Sequence, residues 1–170
     1  LSSSTVEVVK TSTTASHTFT INNEGSIVQN STSLGAKRVI NAETKYTTSG
    51  GQVINNGSVV GSSALIQAFN EDAMRIGSNV TVNNYGTIES IGVVNTKDSS
   101  FDGTQSDISA YDGLAMKSKT KNSTVNNYGT IIGARHGIDI SEKTSVSASE
   151  QHTVTNYASG TIIGRNGSGV

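Results

Sequence analysis

Four aspartates, Asp98, Asp102, Asp107 and Asp112, fall in one polar stretch, NTKDSSFDGTQSDISAYD, residues 95 to 112. Clustered carboxylates suit a hard cation such as calcium, which collects oxygen ligands. Their spacing matches no EF-hand loop, so a solvated surface loop is the simpler description. Phe101 and Tyr111 would give that loop the aromatic contacts of a recognition element. His17, His136 and His152 are the three histidines. His136 stands in ARHGIDI three residues before Asp139, a pairing that could move a proton, but no G-x-S-x-G elbow accompanies it and a His-Gly dipeptide serves equally well in a turn. A lyase or glycosidase would need paired carboxylates or a basic cluster on one face. Glu24 and Glu89 occupy different positions of the pattern described below, and Lys117, Lys119 and Lys121 alternate as an outward, solvated row. No convergent catalytic constellation emerges, so the reading is of a protein that is not an enzyme.

Composition narrows the field further. Twelve basic and thirteen acidic residues leave a net charge of −1, too little to recruit nucleic acid or an anionic membrane surface. The hydrophobic fraction of 33% rises to about 44% with the 18 glycines, close to the usual share for a globular chain. Without cysteine the chain can form neither a disulfide nor a thiolate metal site, as expected of a bacterial exported protein that crosses the periplasm unfolded. No apolar run approaches the ~20 residues that span a bilayer. Leu1 reads as the start of a mature protein or an excised piece, and GRNGSGV, ending at Val170, as a polypeptide that continues.

What must position these residues is a repeat. TVNNYGTI occurs at 81–88 and again at 124–131, and the phrase aligns with TINNEGSIVQ (20–29), VINNGSVVG (53–61) and TVTNYASGTIIG (153–164). Taking Asn23, Asn56, Asn84, Asn127 and Asn156 as equivalent, the spacings are 33, 28, 43 and 29 residues. A constant phrase at variable spacing places the variation in loops. β-branched residues flank each Asn-Asn-x-Gly turn, so each phrase reads as two short strands meeting at a corner. Alternation puts Ile21, Ile54, Val82, Val125 and Val154 in one inward column and Ile27, Val59, Ile88, Ile131 and Ile162 in a second. A third element follows in RVI (38–40), AMRI (73–76), GLAM (113–116), GIDI (137–140) and GV at 169.

Three strands per repeat, each turning onto a new face, predict an all-β, right-handed parallel β-helix of about five coils, a single unit with residues 1–18 as an N-terminal strand or cap and coils over 19–170. Insertions are expected near 37–52, 61–72, 95–112 and 141–151. Residues 73–76 read as strand, whereas 63–70 fit either a strand or a helical turn. Stacked coils would superimpose the corner asparagines into a structural amide ladder.

VNNYGTIIGxxHGIDI and VTNYASGTIIG resemble the repeats of bacterial autotransporter passenger domains, best from about Thr81 to Val170 and more loosely from Phe19 to Gly61. That resemblance implies export to the cell surface and a full-length protein joined to an outer-membrane β-barrel. The expected function is an adhesin, or the stalk that displays one, binding a host surface protein or glycan or associating with itself. A β-helical carbohydrate-active enzyme and an inert spacer beside a catalytic domain are the competing readings. No cofactor is expected beyond the calcium alternative above.

Overall fold

The computed structural model describes residues 19–30, 38–42, 51–56, 64–92, 111–116, 120–140 and 151–170. Short β-branched runs broken by Asn and Gly cannot extend into long strands, and among the described residues the chain forms fourteen strands of three to five residues and no helix. Five of them, β1 (Phe19–Asn23), β4 (Gly51–Asn55), β7 (Val80–Asn84), β10 (Thr124–Asn127) and β13 (Thr153–Asn156), form one parallel sheet in that order. A second parallel sheet contains β2 (Ser26–Gln29), β5 (Leu65–Ala68), β8 (Thr87–Ser90), β11 (Thr130–Gly133) and β14 (Thr161–Gly164). The third holds β3 (Ile40–Ala42), β6 (Met74–Ile76), β9 (Leu114–Met116) and β12 (Ile138–Ile140). The first two sheets take one strand from each of five coils and the third one from each of the first four, which is a parallel solenoid.

Register decides which side chains meet. Val82 pairs with Val125 and with Val53, and the column continues to Ile21 below and Val154 above. Ile27, Ile66, Ile88, Ile131 and Ile162 form the second column, and Ile40, Met74, Leu114 and Ile138 the third. The three columns converge on one core in which the inner coils are fully buried, while Ile21, Ile27, Val154 and Ile162 at the two ends are only partly covered. Full burial of each Val or Ile contributes about 1.5–3 kcal/mol.

Two columns differ from the sequence expectation. The inward residue of β4 is Val53, with Ile54 facing outward, because β4 pairs residue for residue with β7, Val53 on Val82 and Asn55 on Asn84. The residue paired in the second column is Ile66, not Val59, which lies outside the described residues. The stretch 63–70, open between strand and helical turn in the sequence, holds β5, so the second strand of its coil lies inside the segment expected as an insertion over 61–72. Likewise β3 and the start of β4 fall within 37–52. No strand forms over 165–170, yet Gly137 and Ile138 donate to the carbonyls of Ser168 and Gly169 at 3.1 and 2.9 Å, so the third side is continued there by backbone pairing.

Candidate functional site

The corner between the first and second sheets is built from the inside outward. The innermost residues are Asn23, Asn55, Asn84, Asn127 and Asn156, and the Nδ2 of each of the first four donates to the Oδ1 of the next coil's asparagine, at 2.8, 2.9, 2.7 and 2.8 Å. The second Nδ2 proton goes to a carbonyl in the second-sheet strand of the next coil: Leu65 for Asn23, Thr87 for Asn55, Thr130 for Asn84 and Thr161 for Asn127. Both donors and the acceptor of each inner asparagine are thereby used, which is what lets a polar amide lie fully buried at Asn55, Asn84 and Asn127. The ladder member of the second coil is Asn55, correcting Asn56, which stands one position further along, at the tip of the corner.

Outside the amide ladder at that tip lies a row of stacked rings. Tyr85 and Tyr128 have centroids 4.7 Å apart at 8°, and Tyr128 and Tyr157 are 4.0 Å apart at 12°. Tyr85 and Tyr157 are 45% and 39% exposed, so this is a surface feature. Rows of Asn83, Asn126 and Thr155 on one side and Thr87, Thr130 and Thr161 on the other run parallel to it, in register. A hydrogen bond with the Tyr157 hydroxyl, aided by desolvation, holds the Tyr128 phenol protonated, raising its pKa from 10 to about 12. Tyr157→Phe is therefore expected to return one late-titrating phenol toward pH 10 in a 295 nm absorbance titration. An unchanged titration would show that the hydroxyls do not meet.

A second ladder sits at the corner before the third sheet, in the column Arg38, Asp72, Asp112, His136 and Ser168 that the register defines two residues ahead of Ile40, Met74, Leu114 and Ile138. Here the side chains of Asp72, Asp112 and His136 each accept the backbone N–H of the coil above. Asp72 Oδ1 accepts from Asp112 N at 3.0 Å, Asp112 Oδ1 from His136 N at 3.2 Å, and His136 Nδ1 from Ser168 N at 3.0 Å. Arginines neutralise the carboxylates. Arg135 bridges Asp112 at 2.8 Å and Asp139 at 3.4 Å, Arg75 pairs with Asp72, and Arg38 and Arg75 each approach Glu71 at 3.7 Å. Burial pushes the carboxyls of Glu71 and Asp112 above their ordinary ranges; Asp72 beside Glu71 adds to that shift, whereas Arg135 works against it at Asp112. This column was legible as a polar residue followed by Ala or Gly before each third strand (Asp72-Ala73, Asp112-Gly113, His136-Gly137, Ser168-Gly169), a signal the Asn-Asn-x-Gly phrase overshadows.

Among the loop candidates, Asp98, Phe101, Asp102 and Asp107 lie outside the described residues. Tyr111 is half-buried and Asp112 is 1% exposed. Asp112 is thus a buried counter-ion of Arg135 and not a loop ligand, because its position two residues ahead of Leu114 turns it into the corner. Ser168 Oγ lies 3.0 Å from His136 Nδ1, but Asp112 engages the backbone N–H of His136 and not its ring. Among the described residues no carboxylate is seen bonded to the His136 ring, the bond that orients the histidine of a Ser-His-Asp triad. Among the described residues no group of three His, Asp or Glu side chains could hold a metal ion. Of the three lysines, Lys117 and Lys119 lie outside the described residues and Lys121 is half-buried, its backbone N–H bonded to Ser78 Oγ at 3.1 Å.

His152 bridges two coils as a neutral ring. Its Nδ1 accepts from Ser123 N at 3.3 Å and its Nε2 lies 3.2 Å from Thr120 Oγ1. Burial lowers its pKa below 6.5. The unfolded chain consequently binds more protons in the interval below pH 6.5, so stability from this residue is present above that pH and is lost as pH falls through it. The melting temperature is expected to drop between pH 7.5 and 5.5, and the drop to shrink in His152→Gln; equal drops would remove His152 from the account.

Glu89 takes two partners on the outer face of the second sheet, Gln67 Nε2 at 2.8 Å and Arg165, reaching across from the fifth coil. Comparison with protein-family models, with curated proteins and with solved structures finds no match to the chain.

Proposed function

We propose that this chain is a right-handed β-helical segment of an autotransporter-type passenger, held at the bacterial cell surface, where it acts as an adhesin or as the stalk that displays one. The observation that carries the reading is the exposed tyrosine row flanked by in-register rows of threonine and asparagine. Phenol, hydroxyl and amide groups repeated along a rigid axis offer a partner apolar surface and hydrogen bonds at low entropic cost. A host surface protein or a glycan supplies the complementary chemistry. The absence of cysteine suits passage through the periplasm unfolded, and the right-handed sense follows the crossover preference of parallel strands.

The test is binding of the immobilised chain to matrix proteins and to a glycan array. Simultaneous alanine replacement of Tyr85, Tyr128 and Tyr157 is expected to reduce capture tenfold or more while circular dichroism is unchanged. Deleting residues 95–110 reports separately on the loop. The reading fails if nothing binds, or if binding survives both changes.

A further inference from the structure

The tyrosine row stops inside the stack, at the third coil. The backbone N–H of Tyr85 donates to Asn55 O at 2.8 Å, that of Tyr128 to Asn84 O at 2.8 Å and that of Tyr157 to Asn127 O at 2.9 Å; Asn56 makes the same bond to Asn23 O at 2.8 Å. Asn56 therefore stands in the ring column one coil below Tyr85, and the pairing of Asn23 with Asn55 puts Glu24 in that column in the first coil. An asparagine side chain is too short to cover the phenol end of a ring above it. Exposure follows the stacking: Tyr128, with a ring against each face, is half-buried, whereas Tyr85, with one ring against it, is 45% exposed. The second face of Tyr85 is thus turned toward Asn56 and Glu24. Asn22 Nδ2 donates to Glu24 Oε1 at 2.9 Å, so an amide and a carboxylate stand together on the exposed tip of the first coil.

We infer that this face of Tyr85 is a sugar subsite, its occupant a hexopyranose with equatorial hydroxyls that stacks on the ring and is held at its rim by Asn56 and Glu24. The inference rests on the adhesin reading and narrows the partner from a protein or a glycan to a glycan. Such a sugar presents C–H bonds on its flat face and hydroxyls around its edge. The C–H bonds, slightly positive, suit the negative face of a phenol ring. The hydroxyls both donate and accept, as an amide and a carboxylate beside the ring require. The inner faces of the row cannot serve, because rings 4.7 and 4.0 Å apart leave no space for a guest between them. A Lys or Arg side chain is the competing guest for a ring face near a carboxylate, and it would be held by charge and released by salt.

Capture of the chain on immobilised oligosaccharides of β-linked glucose and of β-linked N-acetylglucosamine tests it. Tyr85→Leu keeps an apolar side chain but removes the ring face, and is expected to lower capture about tenfold or more. Tyr157→Leu shortens the row at its other end and leaves the Tyr85 face intact, so its capture should stay within about twofold of wild type. Asn56→Tyr adds a ring one coil down that stacks on Tyr85 and fills the subsite; capture is expected to vanish while far-ultraviolet circular dichroism is unchanged. If that variant does not fold, the contrast between Tyr85→Leu and Tyr157→Leu decides. The subsite is overturned if the wild-type chain is retained on neither sugar, if Tyr85→Leu binds as wild type, if Tyr157→Leu loses as much, or if high salt abolishes capture. A chain that retains matrix proteins but no sugar overturns the subsite and leaves the adhesin reading standing, whereas a chain that retains neither overturns both.

Discussion

Asn84→Ala is expected to destabilise the fold by about 3 kcal/mol. The side chain is fully buried; it accepts from Asn55 at 2.9 Å and donates to Asn127 at 2.7 Å and to the Thr130 carbonyl at 3.0 Å. Each such bond contributes about 1 kcal/mol net, and each buried group left without a partner costs about 1–3 kcal/mol. Alanine removes three bonds at once and strands the Oδ1 of Asn127 and one proton of Asn55 in a space too apolar to replace them. Asn84→Asp should be worse, since a carboxylate would face the Asn127 oxygen in the interior. The same change at Asn156, which is exposed in the fifth coil, is expected to cost under about 1 kcal/mol. Urea denaturation of the two variants checks the gradient; equal losses would mean that the amides do not form a buried ladder.

The second large effect falls on a glycine column. A Cβ on Gly129 would lie 2.2 Å from the Gly86 carbonyl oxygen and 2.8 Å from the Tyr85 carbonyl carbon. These are backbone atoms of the coil below, fixed by the ladder, so no rotamer change relieves the clash and the two coils must separate. Gly129→Ala is expected to cost about 3 kcal/mol, the upper range for overpacking. Gly25 holds the same place in the first coil, where its Cβ would meet nothing within 4 Å, and Gly25→Ala should fall within about 0.5 kcal/mol of wild type. The difference arises because each Cβ of this column points at the coil beneath. Ala64 occupies the column in the second coil, its carbonyl accepting from Thr87 N as that of Gly86 accepts from Thr130 N. Parallel melts of the two alanine variants decide the matter, and comparable losses at both would contradict the stacking direction.

The parallel sheets and most of the core were legible because stacking forces repetition: Val82 and Val125, or Ile88 and Ile131, must be alike to pack on one another. The second coil misled. VINNG offers two asparagines for one ladder position, and only the register to β7, with Val53 on Val82, makes Asn55 the equivalent of Asn84. Ile66 was hidden for a different reason. Residues 57–63 separate it from its turn, so the phrase seemed to be completed by Val59 instead. Asp112 was misplaced because a polar loop runs into it without a change of composition, and only the register to Leu114 reveals that it turns inward toward Arg135. The tyrosine row was visible in NYG, NYG and NYASG, yet its stacking needed the coils to be superimposed first.

The most direct test of that superposition uses the absence of native cysteine. Thr124 pairs with Thr153, and Thr155 with Asn126, so paired outward threonines of adjacent coils bring Cα atoms to roughly 4.8 Å, within disulfide reach, whereas a two-residue offset takes them beyond about 7 Å. Oxidation of the Thr124→Cys/Thr153→Cys double variant is expected to form an intramolecular disulfide rapidly and in high yield, with little in the Thr124→Cys/Thr155→Cys control. Equal yields in the two, or a disulfide in the offset pair alone, would contradict the in-register parallel stack.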